Sequence, residues 1–432
     1  MLNRTHWYRL VIGAMESAFA LTAGITCARS QFPTPADGDW TEGRGRPFDD
    51  GSGPPRAWSR GRLAVRGGWR FLHLEGSPRE MGLQHGRLLR PVVQRVYGEY
   101  IRMIRWFRAL SRAELLRRGR RLEPHIPAPY LEEMHGLAEG AAMEYEDILI
   151  AHTFLESVQA VQCSCFAAHG AATRGGELIF GRNLDFVSMG IAQRCGLIIF
   201  CKPDRGIPFI SIAWPGWCGA ITAVNLAGLC IGPLNVLSTL AAQTTARLVR
   251  EYELANGGQF IRSVSTNLEG TPYVISFRQM AQEAATCDEA VALLRATRRT
   301  YSNNVLLAQT TPMRRAVVAE YTAEEVVVRE AGPGEDFIAA TNHFRKLGRP
   351  NEPPPRPGRY ALLMDRLRER PGAMNLRSNI FADPRIHLPN SLQALIAAPE
   401  RRTFRLAMGR MPAAEGPYRT FTYDENGIRL DG

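Results

Sequence analysis

The sequence predicts an α+β fold in which stacked sheets lie between outer layers of helix. Three observations carry this. Residues 62–162 are dominated by apolar side chains at helical spacing. From Cys163 the pattern turns to short apolar runs punctuated by Gly, Pro and Asn, which read as strands. Two further helical stretches then part these strands from a second set, an order that puts sheets inside and helices outside. At 432 residues and 45% hydrophobic, the chain can fill the core of one large domain or two medium ones.

The elements follow in order. Arg4, His6 and Arg9 precede the mostly apolar run 10–28, and Thr26-Cys27-Ala28 fits a small-residue cleavage site. Residues 1–30 therefore read either as an export signal or as a plain N-terminus; Glu16 argues against a spanning helix. Residues 31–61 are rich in Pro, Gly, Asp and Arg without apolar periodicity and predict a linker. Order is expected to begin at the alternating run Trp69–Leu74. Ser77 then caps a helix with Pro78 at its first position. Its apolar spacing continues to Ile104, and helices are expected at 111–121, 128–142 and 146–158. Strands are expected at 163–169, 178–182, 197–201, 209–213, 219–224 and 229–232. Helices return at 273–285 and at 288–298, the second with Asp288 as cap. Strands resume at 304–308, 316–321, 325–329 and 337–340. The proline-rich loop Pro350–Pro357 leads to a helix at 358–369, and a hairpin pairs 392–396 with 403–408.

The formal charge is +11, yet only Lys202 and Lys346 are lysine; the arginines are scattered, with no basic stripe interleaved with aromatics. Nucleic acid is therefore not an expected partner. Eight cysteines in this length do not make a disulfide scaffold. Six lie between Cys163 and Cys230 and read by default as buried apolar residues. Cys163-x-Cys165 has no second pair to complete a metal site.

Chemistry concentrates at Cys163-Ser164-Cys165-Phe166 and, one strand later, Gly181-Arg182-Asn183-Leu184-Asp185. A thiol followed by a guanidinium and a carboxylate on the next strand is the layout of an N-terminal-nucleophile amidase. An α-amine with a pKa of about 7.7–8.0 can take a thiol proton and return it to a leaving amine, so one residue is both nucleophile and base. Cys163 is internal, so the chain would have to cut itself ahead of it. Arg182 favours the thiolate, and Asp185 can orient the amine. Asn225, at a strand-to-turn junction, and Asn304, opening a strand, are candidate oxyanion donors.

These residues, with Ser302-Asn303-Asn304, Ala340-Thr341-Asn342-His343 and the closing Gly409–Tyr418 segment, make residues 62–425 resemble the autoproteolytic acyltransferases of the isopenicillin N acyltransferase type. More distantly the chain resembles bile-salt and penicillin V hydrolases and acid ceramidase, all of the N-terminal-nucleophile (Ntn) superfamily. The resemblance implies a four-layer αββα sandwich cut between Gln162 and Cys163 into a small α-chain, 62–162, and a large β-chain, 163–432, that stay associated. It implies catalytic roles for Cys163, Arg182 and Asp185, an oxyanion donor in the Asn304 side chain and another in the Asn225 backbone amide. It implies an acyl amide or acyl-CoA substrate, with no cofactor and no metal.

Other readings stand beside this one. Cys163 or Cys165 could pair with His169 or His343 in a thiol-hydrolase dyad without self-cleavage. Gln162 stands where close relatives often carry a small residue, which leaves an uncut binding protein with a vestigial thiol as a third reading. Trp214, Pro215 and Trp217 line an acyl pocket or belong to the core.

Overall fold

The computed structural model describes residues 56–107, 110–157, 162–188, 190–236, 268–300, 302–347, 358–369 and 372–431. The expected export signal, most of the linker and the loop Pro350–Pro357 lie outside the described residues.

Seventeen described strands form two sheets. The larger runs β1 (Arg56–Trp58), β2 (Gly61–Arg66), β3 (Trp69–Gly76), β6 (Leu197–Pro203), β7 (Phe209–Ala213), β8 (Ala223–Asn225), β9 (Cys230–Asn235), β10 (Asn303–Gln309), β11 (Arg315–Tyr321) and β12 (Val326–Arg329). The smaller runs β13 (Phe337–Ala340), β4 (Gln162–Gly170), β5 (Gly176–Asp185), β14 (Ser391–Ala398), β15 (Thr403–Met408), β16 (Arg419–Asp424) and β17 (Gly427–Leu430). Only β3 and β6 pair in parallel among the described strands. The sheets face each other across β4 and β9. A Cβ on Gly232 would lie 2.6 Å from the Cys165 Sγ and 3.1 Å from the Arg182 Cδ, so a glycine there lets the sheets close on the site.

Helices cover both outer faces. On the large-sheet side lie α1 (Pro78–Val96), followed by a π-helical turn and α2 (Arg102–Phe107), then α3 (Arg112–Leu122), α4 (Ala128–Ala141), α5 (Tyr145–Thr153), α6 (Tyr273–Glu283) and α7 (Cys287–Ala296); α1, α6 and α7 pack on its strands, and α4 packs on α1. On the small sheet lies α8 (Arg359–Arg368), whose Leu363, Met364 and Leu367 share a buried core with Phe166, Ile179 and Ile396. The molecule is an αββα sandwich, as expected, and every described residue belongs to one compact unit.

Local chemistry explains the boundaries. Ser77 caps α1 in a reciprocal capping box with Glu80, and Pro78 opens the helix. Several expectations need correction. Strand begins at Arg56 and Gly61, inside the segment read as linker, because β2 pairs with β3 over Arg62–Arg66 and with β1 over Gly61–Leu63. The cap of α7 is Thr286, boxed with Glu289, and the Asp288 carboxylate binds Arg315 instead. Residues 219–222 are not strand, since the amides around them are taken by the helical layer: Cys218 N–H by His152 and Ala220 N–H by the Val274 carbonyl. Strand β9 runs on through Pro233, which lies past the last β8 pair and so forfeits no ladder bond on that side. The hairpin β16–β17 was not foreseen.

Candidate active site

The site begins with the alternation of β4. Cys163 and Cys165 share the face toward the large sheet, while Phe166 and Ala168 turn to the α8 core. Opposite, β5 places Arg182 across from Cys165, Leu184 across from Cys163, and Asp185 across from Gln162. The buried Arg182 guanidinium lies beside both thiols, where its charge favours their thiolates, and is braced by the carbonyls of Ile221 (Nε, 3.2 Å) and Asn183 (Nη1, 3.0 Å). Burial pushes the Cys163 thiol up; Arg182, and more weakly Arg359, pull it back toward the thiolate. The Cys165 thiol, pushed up to about 12 by burial, donates to the Gly232 carbonyl at 3.6 Å.

The backbone of Cys163 is held as closely as its sulfur. Its N–H donates to Asn342 Oδ1 at 2.8 Å, and its carbonyl accepts from Arg359 Nη2 at 3.0 Å. Arg359 also bonds Asn342 Oδ1 and lies 3.6 Å from Asp185 Oδ2. Asp185 Oδ1 accepts from Asn183 Nδ2 (2.7 Å) and Leu388 N–H (3.2 Å). Burial raises the Asp185 carboxyl pKa, and Arg359 and these donors oppose that. Asn342 Nδ2 in turn donates to the Asn235 carbonyl at 2.7 Å, which ties the end of β9 to the nucleophile. The Asn235 side chain borders a small void with Arg182, Leu184 and Tyr273. Its Nδ2 is buried beside the Tyr273 hydroxyl and makes no well-formed hydrogen bond.

The structure thus brings Cys163, Arg182 and Asp185 into one buried cluster and places the two predicted asparagines differently. Asn225 Nδ2 donates to the carbonyls of Ala281 and Ala284, and its N–H to the Leu229 carbonyl. Asn304 Nδ2 donates to the carbonyls of Thr341 and His343. Neither keeps a donor for an oxyanion: Asn225 fastens α6 to the large sheet, and Asn304 fixes the segment that delivers Asn342. His169 lies six residues along β4 from Cys163, about 20 Å at strand rise, and so cannot reach it. The His343 ring contacts the Thr341 hydroxyl at 2.9 Å and meets Tyr360 edge-on. Arg359, Asn342 and Asn235 were not singled out as site residues. Thr341-Asn342-His343 was noted as a motif, but nothing local in the sequence marks the other two.

Fold and site define a class: an αββα sandwich with a buried thiol at the start of an inner strand, a guanidinium at its sulfur and an amide at its main-chain nitrogen. No known family profile matches the chain. An uncharacterized protein of Archaeoglobus fulgidus is 29% identical over 255 residues, which cover 50% of this chain and 42% of that one. The chain thus spans about two fifths of that relative's length. Among solved structures, the Caenorhabditis elegans ortholog of N-acylethanolamine-hydrolyzing acid amidase has a TM-score of 0.39 at 13% identity, covering 62% of this chain and 100% of that one. Penicillin V acylase from Agrobacterium tumefaciens has a TM-score of 0.37 at 12% identity, covering 57% and 83%. Likeness at this level adds nothing to the layers and contacts described above.

Proposed function

We propose that this chain is a cysteine amidase that cuts its own Gln162–Cys163 bond and then uses Cys163 as an N-terminal nucleophile on a linear amide. One observation carries the reading: around the same buried residue, side chains meet all three reacting groups, with Arg182 at the sulfur, Asn342 at the nitrogen and Arg359 at the carbonyl.

In self-cleavage the Cys163 thiol adds to the Gln162 carbonyl, the C–N bond breaks, and the resulting thioester takes up water. Gln162 is left with a carboxylate and Cys163 with a free amine. In turnover that amine takes the thiol proton, the thiolate attacks the substrate carbonyl, and the proton passes to the departing amine as the C–N bond breaks. Water then gives a proton to the same amine while attacking the thioester; the C–S bond breaks and the thiol is restored. An amine in place of water gives acyl transfer by the same steps, and a thioester in place of the amide changes only the leaving group, a thiol instead of an amine. Arg182 offsets the penalty of a buried thiolate. Asn342 positions the nitrogen. Asn235 Nδ2 is a donor available to the oxyanion, a role worth about 2.7–4 kcal/mol. Asp185 holds Arg359, and through it the Cys163 carbonyl.

Intact mass and N-terminal sequencing test the proposal. Two pieces are expected, the second beginning at Cys163, and one piece for Cys163→Ala. A chain that stays whole while turning over an amide overturns it.

A further inference from the structure

A partly open apolar pocket lies beside the inner void, and the two share Phe186, Trp214 and Trp217 as a common wall. The far side is built from α1, the π-helical turn and α5, including Val93, Tyr100 and Ile148. Its polar tips are mostly occupied: Tyr97 Oη donates to Asp147, Tyr100 Oη to the Val187 carbonyl and Trp214 Nε1 to the Ala192 carbonyl. No charged side chain lines it among the described residues.

The shared wall is the irregular segment Trp214–Cys218, and two buried histidines hold it. His85, on α1, accepts the Gly216 N–H at Nε2 (2.9 Å). His152, on α5, accepts the Cys218 N–H at Nε2 (2.9 Å), its tautomer fixed by Nδ1 donating to the Ile148 carbonyl at 2.7 Å. Both rings are fully enclosed. Only an unprotonated imidazole nitrogen can accept these bonds, and burial holds both rings neutral, His85 near pKa 3 and His152 near 4. The segment has little freedom otherwise. Gly216 sits at φ +82°, and a Cβ there would lie 2.8 Å from Val93 Cγ1. The Trp214 and Trp217 rings stack at 5.6 Å.

We propose that Trp214–Cys218 is the wall that selects an extended apolar acyl group, and that His85 and His152 are its positioning residues. The inference rests on the amidase reading for its substrate. The carbonyl to be attacked lies in the inner void beside Arg182 and Asn235, and the acyl chain continues past Trp217 into the apolar cavity. A short acyl group stops at the wall and gains nothing from it. A long one buries its methylenes there, provided the wall is held in place. Both imidazoles come from helices ahead of residue 163, and the wall lies after it, so the pocket is assembled from both sides of the scissile bond.

The test uses full-length protein and N-acyl-7-amino-4-methylcoumarin probes with acetyl, octanoyl and dodecanoyl groups. The wild type is expected to have kcat/KM rising with chain length. In His85→Leu and His152→Leu the dodecanoyl-to-acetyl ratio of kcat/KM is expected to fall about tenfold, the scale of one lost hydrogen bond, with KM the parameter that moves. His85→Gln, which returns an acceptor, recovers part of it. Gly216→Ala, which disturbs the same wall from the Val93 side, must lower the ratio too, and it carries the test should a leucine variant not fold. Unchanged ratios overturn the proposal. Dodecanoate binding to the Cys163→Ala chain, read by tryptophan fluorescence, needs no turnover: weaker binding on adding His85→Leu or Gly216→Ala supports the wall, and equal binding overturns it. A wild type that is neither cut nor active would sink the amidase reading, and the binding experiment would still decide this one.

Discussion

Two buried arginines in this molecule each sit between two cysteines. Arg182 lies at Cys163 and Cys165, Arg278 at Cys201 and Cys218. Arg278 is saturated: Nη2 binds Glu133 Oε2 at 3.1 Å and Gln282 Oε1 at 2.9 Å, Nη1 reaches the Cys218 carbonyl at 3.4 Å, and the guanidinium lies 4.4 Å from the Phe209 ring centroid. Its carboxylate partner is its own. Arg182 has no carboxylate of its own, because Asp185 is paired with Arg359. It borders a void, and the neighbouring Asn235 amide still has a donor to give. A buried arginine among thiols is therefore no sign of chemistry by itself. What separates site from staple is empty space, an unspent donor, and a nucleophile whose main-chain atoms are also held.

The contrast can be broken or sharpened by substitution. The largest effect should be at Cys163: Cys163→Ala abolishes self-cleavage and labelling by a thiol-directed acyl probe, whereas Cys201→Ala, beside the other arginine, keeps both, as read by intact mass. Next is Asn235→Ala, expected to lower kcat by about 10²–10³, the range for one oxyanion donor. Asn225→Ala and Asn304→Ala should act mainly on stability, by about 1–3 kcal/mol through stranded carbonyls, measured by urea unfolding. If either of these instead matched Asn235→Ala in kcat at unchanged stability, the assignment of the oxyanion donor would be reversed. Glu133→Ala leaves Arg278 buried and uncompensated and should cost about 3–5 kcal/mol in the same measurement.

The smallest effect is a pH slope. His85 and His152 have pKa values near 3 and 4 in the fold against an ordinary 6.5. Below about 6.5 the unfolded chain therefore takes up protons that the folded chain refuses. Their contribution is complete above pH 6.5 and is lost as the pH falls toward 3. The groups facing His85 are the His152 ring and the Arg278 guanidinium, both of which disfavour its charging, while Glu133 is committed to Arg278. Melting temperatures between pH 7 and 4 should fall less steeply for His85→Gln than for the wild type.

Much of the scaffold was legible in the sequence. Phe209–Ala213 and Phe337–Ala340 are apolar runs closed by Pro, Trp or Asp, and they became strands with the expected ends. The nucleophile strand and its partner were legible because β4 and β5 are neighbours in sequence as well as in space. The terminal hairpin β16–β17 was missed because Arg419–Asp424 mixes apolar with polar residues near the end of the small sheet, where packing and not composition decides. Thr286 lost to Asp288 as a cap although Thr-x-x-Glu was there to be read. The deeper misses are long-range. Arg359 reaches the Cys163 carbonyl from 196 residues away, and Asn342 reaches its N–H from 179. No local pattern encodes either distance; each is set by β13 pairing with β4 and α8 packing beneath them. Asn225 and Asn304 drew notice as asparagines at strand ends, and their side chains do there what asparagine commonly does, bonding nearby main chain.

The glutamate at Arg278 and both imidazoles behind the tryptophan wall precede residue 163, while Arg278, Gly216 and Cys218, which they grip, come after it. Severing the backbone there would not release a leader to drift away. The smaller fragment would stay on as a permanent lodger, since its departure would strip one charge of its mate and leave the binding cleft without a back.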